Sequence, residues 1–325
     1  MTQLYRNEQA PLFGASSAGD AELERVFDVL LAADPTGTRF ASALRRTFDM
    51  LLDGQHTGRY RWDQLMKTEK THAGTVVEIN LQREFKFAGG DKLDYRIGGV
   101  DVDCKYSQKL GSWMIPPEAV GRLCLLVWAS DQESRWCAGL VRADEALLNT
   151  GANRDGKRSL NSAGRTAIRW LFSDAPLMPN VLLHLPQHDI DAIFSHNAGT
   201  KRLDELFRRA LKRRIGRAAV ATVAQQEDYM RRARANGGSR TSLGAEGIVV
   251  FGQYQNHAEL AERLGLPVPQ AGEFVSARLA KRADRHGSAP AAEIDGSVWV
   301  VAGPEDPVEP APQLPKPERQ RKGSR

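Results

Sequence analysis

Apolar residues recur along the first half of the chain at two periods, and the switch between them divides it. Leu23, Val26, Phe27, Leu30 and Leu31 fall at i, i+3, i+4, i+7 and i+8, one face of a helix that Asp20 can cap. Asp34-Pro35-Thr36-Gly37 breaks the pattern. A second helix is predicted from Thr38 to Asp53, with Phe40, Leu44, Phe48 and Leu51 on one side and Gly54 as its stop. Between Gly74 and Phe85, Val77, Leu81 and Phe85 recur every fourth residue and predict a third. Alternation then takes over. Leu93–Ile97 and Val100–Lys105 flank Gly98-Gly99, a strong hairpin signal, and strands are expected again at Leu123–Ala129 and Trp136–Val141.

The second half predicts helices at Arg202–Arg214 and Gln225–Asn236, the latter ended by Gly237-Gly238. Strands at Gly247–Gly252, Phe274–Leu279 and Val298–Ala302 follow, with a short helix at Ala258–Leu264. Punctuation between the halves comes from the Gly/Asn/Arg/Ser-rich stretch 149–162 and from two prolines within 173–180. The expected organisation is a flexible lead-in at 1–18, a first domain at 19–172, a second at 173–303, and a basic, proline-rich, disordered tail at 304–325. A length of 325 residues suffices for two cores.

Composition narrows the class. Hydrophobic residues are 41% and charged residues 26%, as in a globular protein, and no apolar run reaches the roughly 18 residues of a membrane span. The N-terminus shows no basic region leading into an apolar stretch, so no secretory signal is expected and a cytoplasmic location is. Cys104, Cys124 and Cys137 form no CxxC pair and have no nearby histidine pattern; zinc and disulfides are not expected, and the three read as small hydrophobes. Net charge is +5, but residues 196–240 alone hold 12 Lys/Arg against 4 Asp/Glu, a net +8. The remainder is slightly acidic, so the basic charge is gathered in one place, the footprint expected for a polyanion.

Chemistry concentrates in DKLDYRIGGVDVDCK, residues 91–105. With Gly98-Gly99 as the loop, Ile97 pairs with Val100, Arg96 with Asp101, Tyr95 with Val102 and Asp94 with Asp103. Val100, Val102 and Cys104 then face a core, while Asp94, Asp101, Asp103 and Lys105 share the other face. Opposed carboxylates repel unless a positive charge lies between them. An all-oxygen ligand set suits Mg²⁺. Glu78, set among Val76, Val77, Ile79 and Leu81, is the third acid to recruit, and Lys105 can orient a water or stabilise charge on a phosphate. Acids in a Gly-Gly hairpin are often only solvated, yet here an apolar alternate face, a same-face lysine and an upstream glutamate coincide. The catalytic candidates are Glu78, Asp94, Asp103 and Lys105, with Glu78, Asp94 and Asp103 as metal ligands. They fit the D…(D/E)-x-K nuclease pattern.

In the basic segment, Leu203, Phe207, Ala210 and Leu211 make an apolar stripe opposite Arg208, Arg209, Lys212 and Arg213. Two basic helices followed by short strands fit a winged helix-turn-helix. The candidate DNA contacts are Lys67, Lys70, Arg208, Arg209, Lys212, Arg213, Arg217, Arg231, Arg232, Arg234 and Arg240. Gln225 and Gln226 suit adenine edges or plain solvent equally. Trp62, Trp113, Trp128 and Trp170 read as core.

The chain also resembles the NaeI family of type IIE restriction endonucleases. The resemblance runs through TFDMLLDGQHTGRYRWDQLMKTEKTHAGTVVEINLQREF (47–85), DVDCKYSQKLGSWMIPPE (101–118), LVWASDQ (126–132), ANRDGKR (152–158), ATVAQQEDYMRRARANGGSR (221–240) and GLPVP (265–269). It implies an α/β (α+β) fold class: a restriction-endonuclease-like domain of the PD-(D/E)xK type with a mixed central sheet flanked by helices, then a CAP-like winged helix-turn-helix domain. It places the acidic cluster on Glu78, Asp94 and Asp103 and the lysine on Lys105. It further implies a homodimer that needs Mg²⁺ and occupies two copies of a palindromic GC-rich double-stranded DNA site, one cut and one acting as effector. Leu93 stands where the wider nuclease pattern has proline. LLDGQ (51–55) resembles the K-x-D-G motif of DNA ligases, but Leu51 replaces the lysine that forms a phosphoramide with AMP. Two other readings stay open: a DNA-binding regulator without cleavage, whose acid cluster has no catalytic use, and a topoisomerase- or ligase-like enzyme suggested only by LDGQ.

Overall fold

A computed structural model describes residues 19–233, 237–316 and Glu318. Its described residues divide into two compact units: those up to Thr47 with Thr68–Met178, and Phe48–Lys67 with those from Pro179 on. The fold is mixed α/β: among the described residues one sheet is mixed and two are antiparallel, with accompanying helices.

In the first unit, α1 (Ala21–Ala33) starts where the Asp20 carboxylate accepts from Leu23 N at 3.0 Å, and it buries Val26, Phe27 and Leu30. The Asp34 carboxylate accepts from Arg39 N and Phe40 N and so holds the start of α2 (Thr38–Leu52). The predicted stop at Gly54 moves by one residue. Asp53 takes the left-handed conformation (φ 44°), and Gly54 opens a short α3 (Gly54–Thr57). The third predicted helix is longer than its apolar repeat. α4 runs Lys67–Phe85, so Lys67, Lys70 and His72 lie on it and not ahead of it. The polar KTEKTH stretch carries no periodicity to announce a helix, and an interior glycine such as Gly74 costs only about 1 kcal/mol against alanine.

The main sheet comprises β1 (Ala88–Gly89), β2 (Tyr95–Ile97), β3 (Val100–Ser107), β5 (Leu123–Ser130), β6 (Arg135–Arg142) and β9 (Arg169–Pro176), in that spatial order. A small sheet orders β4 (Met114–Ile115), β8 (Arg158–Leu160) and β7 (Leu148–Ala152), with α5 (Ser162–Thr166) after β8. In the main sheet β3 and β5 pair in parallel and the other neighbours antiparallel. Leu123–Ala129 are buried without alternation, as a strand covered on both faces must be. Trp113 and Trp128 are core as expected, whereas Trp62 and Trp170 are half-buried.

The second unit holds α6 (Gln187–Phe194), α7 (Gly199–Arg209), β10 (Arg214–Gly216), α8 (Arg217–Ala224), α9 (Tyr229–Arg232), α10 (Ser239–Ser242), β11 (Ile248–Gly252), α11 (Gln255–Arg263), β12 (Glu273–Lys281), β13 (Ala291–Ile294) and β14 (Ser297–Val301). The predicted helix 202–214 therefore ends at Arg209, and only its last residue, Arg214, enters a strand. The predicted helix 225–236 is a correction of greater weight. The main helix precedes it at Arg217–Ala224, and Gln225 caps its end in the left-handed conformation (φ 51°). RAAVATVA shows no amphipathic repeat because six of its eight residues are buried, and a helix buried nearly all round carries no polar face to reveal its period. Arg202 fastens α7 to α8, its guanidinium donating to the carbonyls of Val223 (2.6 Å) and Ala224 (2.7 Å). β12 carries β10 and β11 on its two sides, and β14 and β13 extend the sheet.

Proline-rich as it is, the stretch from Pro304 to Lys316 is no free tail. Ala311 and Leu314 pack on the second unit's core, and the carbonyls of Pro315 and Lys316 meet His257 Nε2 (3.0 Å) and Asn256 Nδ2 (2.7 Å). It borrows a core it could not build. Among the described residues, no helix is long and apolar enough to cross a membrane.

Candidate active site

The hairpin has the predicted register: Ile97 opposite Val100, Arg96 opposite Asp101, Tyr95 opposite Val102. Gly98 (φ 56°) and Gly99 (φ 83°) both have positive φ, the requirement of a tight two-residue turn matched to strand twist. The ladder stops there. Asp94 is one residue outside it, and its Oδ2 accepts from Cys104 N at 2.7 Å instead of standing in a paired register with Asp103.

The two aspartates nevertheless converge. Lys105 Nζ lies 2.8 Å from Asp103 Oδ2 and 3.7 Å from Asp94 Oδ2, and it donates to the Cys104 carbonyl at 3.0 Å. The positive charge that opposed carboxylates demand is thus supplied by the lysine itself. Asp103 is only 3% exposed. Burial pushes its carboxyl up to about 6, against the pull of Lys105 and with a further push from Asp94 and Glu118. Glu78 is half-buried on α4 and raised as well, by burial first, then by the charges of Asp94 and Asp103, with Lys105 opposing. Burial would lower the Lys105 ammonium, yet the adjacent Asp103 and Asp94 carry it above its ordinary value. Asp101, on the same strand face, does other work: its carboxylate accepts from Asp91 N and Lys92 N and pins the loop ahead of β2. All three cysteines are free and buried, and burial pushes the Cys104 and Cys137 thiols up to about 12.

Several of the basic candidates are engaged elsewhere in the second unit. Arg208 pairs with Glu205 and Glu246, and Arg209 with Glu205 and Asp189. Arg213 donates to the His184 carbonyl (2.8 Å), and Arg217 to Tyr229 Oη (2.6 Å). Arg240 is turned inward, its Nε on the Val250 carbonyl (2.8 Å) and its Nη2 buried with no hydrogen-bond partner among the described residues. Lys212 and Arg231 are exposed, and Arg232 is tied to Asp228 at 3.1 Å. In α4, Lys67 is exposed and Lys70 half-buried. Arg234 lies outside the described residues.

The family model for restriction endonuclease NaeI matches residues 24–310. The chain belongs to the NaeI family. A relative, the type II restriction enzyme NaeI of Lentzea aerocolonigenes, is 50% identical over 304 residues, which cover 91% of this chain and 95% of the relative. For a NaeI-family chain, the mixed α/β architecture is consistent with a restriction-endonuclease-like α+β fold.

Among the described residues, no three His, Cys, Asp or Glu side chains are gathered tightly enough to hold a metal ion by themselves. The donor set nonetheless fits a hard cation. Mg²⁺ typically takes one or two carboxylates and completes its shell with water and substrate phosphate. Asp94 and Asp103 are two carboxylates meeting at one positive charge. Sequence reasoning missed two residues that bear on this site in the NaeI-family chain. Tyr95, fully buried, donates its hydroxyl to the Glu78 carbonyl at 2.8 Å and so ties α4 to β2; Glu118 adds negative charge beside Asp103. Neither falls in a spacing motif, because both act across elements that only the fold brings together.

Proposed function

We propose that this NaeI-family protein makes Mg²⁺-dependent double-strand cuts at a palindromic GC-rich site, as a cytoplasmic homodimer that binds a second DNA copy as effector. The enzyme class is a type II site-specific deoxyribonuclease, and enzymes of this class generally use divalent metal ions. The observation that carries the reading is the convergence of Asp94 and Asp103 on Lys105 at the end of a hairpin. Asp94 and Asp103 would hold the cation, with Glu78 as the third acid. Bound there, Mg²⁺ supplies charge for the scissile phosphate and a lowered pKa for water. Asp94, anchored on Cys104 N, keeps a fixed orientation, and the Lys105 ammonium is placed to meet a phosphate oxygen or to orient the attacking water.

For the second unit we read a winged helix-turn-helix. What supports it is element order: α7, β10, α8, then α9 and α10, then β11 and β12, with β12 central between β10 and β11. In this arrangement α8 is the buried support helix, and α9 and α10 are the groove-facing pieces. Phosphate contact then falls to the exposed Arg231 and to Arg232, held by Asp228 alone among the described residues, ahead of Arg208 and Arg209, each tied to two acids. Replacing Arg231 and Arg232 together by alanine should weaken duplex binding and flatten its salt dependence by roughly one unit of slope per lost phosphate contact. Fluorescence anisotropy over a salt series measures this, and an unchanged slope removes both residues from the interface.

Incubation with supercoiled plasmid, in Mg²⁺ or in chelator, tests the whole reading. Discrete linear products that require Mg²⁺ are expected. Binding without cutting favours the regulator instead, and relaxed closed circles favour strand passage or joining.

A further inference from the structure

We propose that the packing of α3 on α8 couples DNA occupancy of the helix-turn-helix to the cleavage site, through α2 and a buried hydrogen bond to α4. The inference rests on the two-duplex reading above and names how that regulation is wired.

The LDGQHTG segment finds its use here. Residues 51–58 close α2 and form α3, and α3 lies against α8 at glycine distance: a Cβ on Gly54 would overlap Thr222 Oγ1, and one on Gly58 would overlap the Gln225 amide. Gln225 is the residue at the turn after α8, so α3 abuts the bend of the helix-turn-helix. With α3 offering only glycines here, the Thr222 side chain and the Gln225 amide pack directly on its backbone, and a shift of α8 is carried to α3 with little side chain to absorb it. Only Asp53 separates α3 from α2, and α2 is one unbroken helix, counted with the first unit to Thr47 and with the second from Phe48. At Thr47 the hydroxyl accepts from Asn80 Nδ2 at 2.9 Å, with both residues buried. Asn80 lies on α4 two residues beyond Glu78. A buried polar pair of this kind holds one geometry, because breaking it leaves polar atoms unsatisfied in a low-dielectric interior. The route therefore runs from the turn at Gln225 to the helix that presents the third acid.

Spatial continuity is no measure of coupling, so the test measures coupling itself. Thr222→Ala loosens the α3–α8 contact, and Thr47→Val removes the acceptor for Asn80 with little change of shape. Each full-length variant, and the double variant, is assayed on a one-site plasmid with and without a duplex copied from the protein's own mapped cut site and made uncleavable by phosphorothioate linkages. Basal cleavage and duplex affinity should stay within about twofold of the parent. The stimulation by added duplex should fall at least threefold in each single variant and no further in the double, as for two points on one path. Full stimulation in both variants, effects that multiply in the double, or a loss of affinity that matches the loss of stimulation would each overturn the proposal. A parent protein that shows no stimulation overturns the two-duplex reading as well, which separates that failure from this one.

Discussion

Asp103→Asn leaves the protein folded and bound to DNA while cleavage falls by a factor on the order of 10³ or more, the scale at which charge-stabilising groups are lost from active sites. The amide keeps the shape of the side chain but removes the charge that a cation and Lys105 both need. Folding should not suffer. Asp103 is buried, and its raised carboxyl means that the ionised form is disfavoured in the native state above its ordinary pKa, so a neutral isostere relieves a cost that the charged form imposes near neutral pH. Thermal unfolding at or slightly above the parent midpoint, unchanged duplex affinity in the absence of metal, and a lost cleavage rate form the expected set. Affinity lost together with cleavage would make Asp103 a structural residue and withdraw it from the catalytic group.

Phe207→Ala should lower the stability of the second unit by about 3–5 kcal/mol, the usual cost of emptying a fully buried aromatic site. Phe207 sits on α7 with no exposed surface, packs edge-on to Phe274 with ring centroids 5.9 Å apart, and offers its carbonyl to Ser276 Oγ at 2.7 Å. A loss of that size takes most of the roughly 5–15 kcal/mol that an ordinary domain possesses. Urea unfolding should therefore show an early transition that melts the second unit ahead of the first. A single transition at the parent midpoint would show that α7 is not part of that unit's stabilising core.

The hairpin was readable from local rules alone. Gly98-Gly99 dictated the turn, the turn dictated the register, and the register carried Asp103 and Lys105 to one face, because side chains alternate strictly along a strand. The first two helices followed from their apolar stripes for a similar reason: each faces one core on one side. Where a residue's environment comes from several elements at once, local pattern fails. RAAVATVA hid its helix because it is enclosed nearly all round, and KTEKTH hid the start of α4 because that turn has no apolar residue to bury. The basic segment was visible as charge, but charge counts do not distinguish Arg208 and Arg209, tied to Glu205, Glu246 and Asp189, from the exposed Arg231.

By itself, then, the chain determined the hairpin, its acid and lysine content, the concentration of positive charge, and the family, all matters of residue type at short spacing. Tertiary structure alone decided that Lys105 sits between Asp94 and Asp103, that Phe48–Lys67 is counted with the residues beyond Pro179, that Gly54 and Gly58 serve close packing on α8, and that Pro304–Lys316 lies along a core. Each of these depends on groups far apart in sequence meeting in a dense interior, where the partner and not the spacing sets the energy.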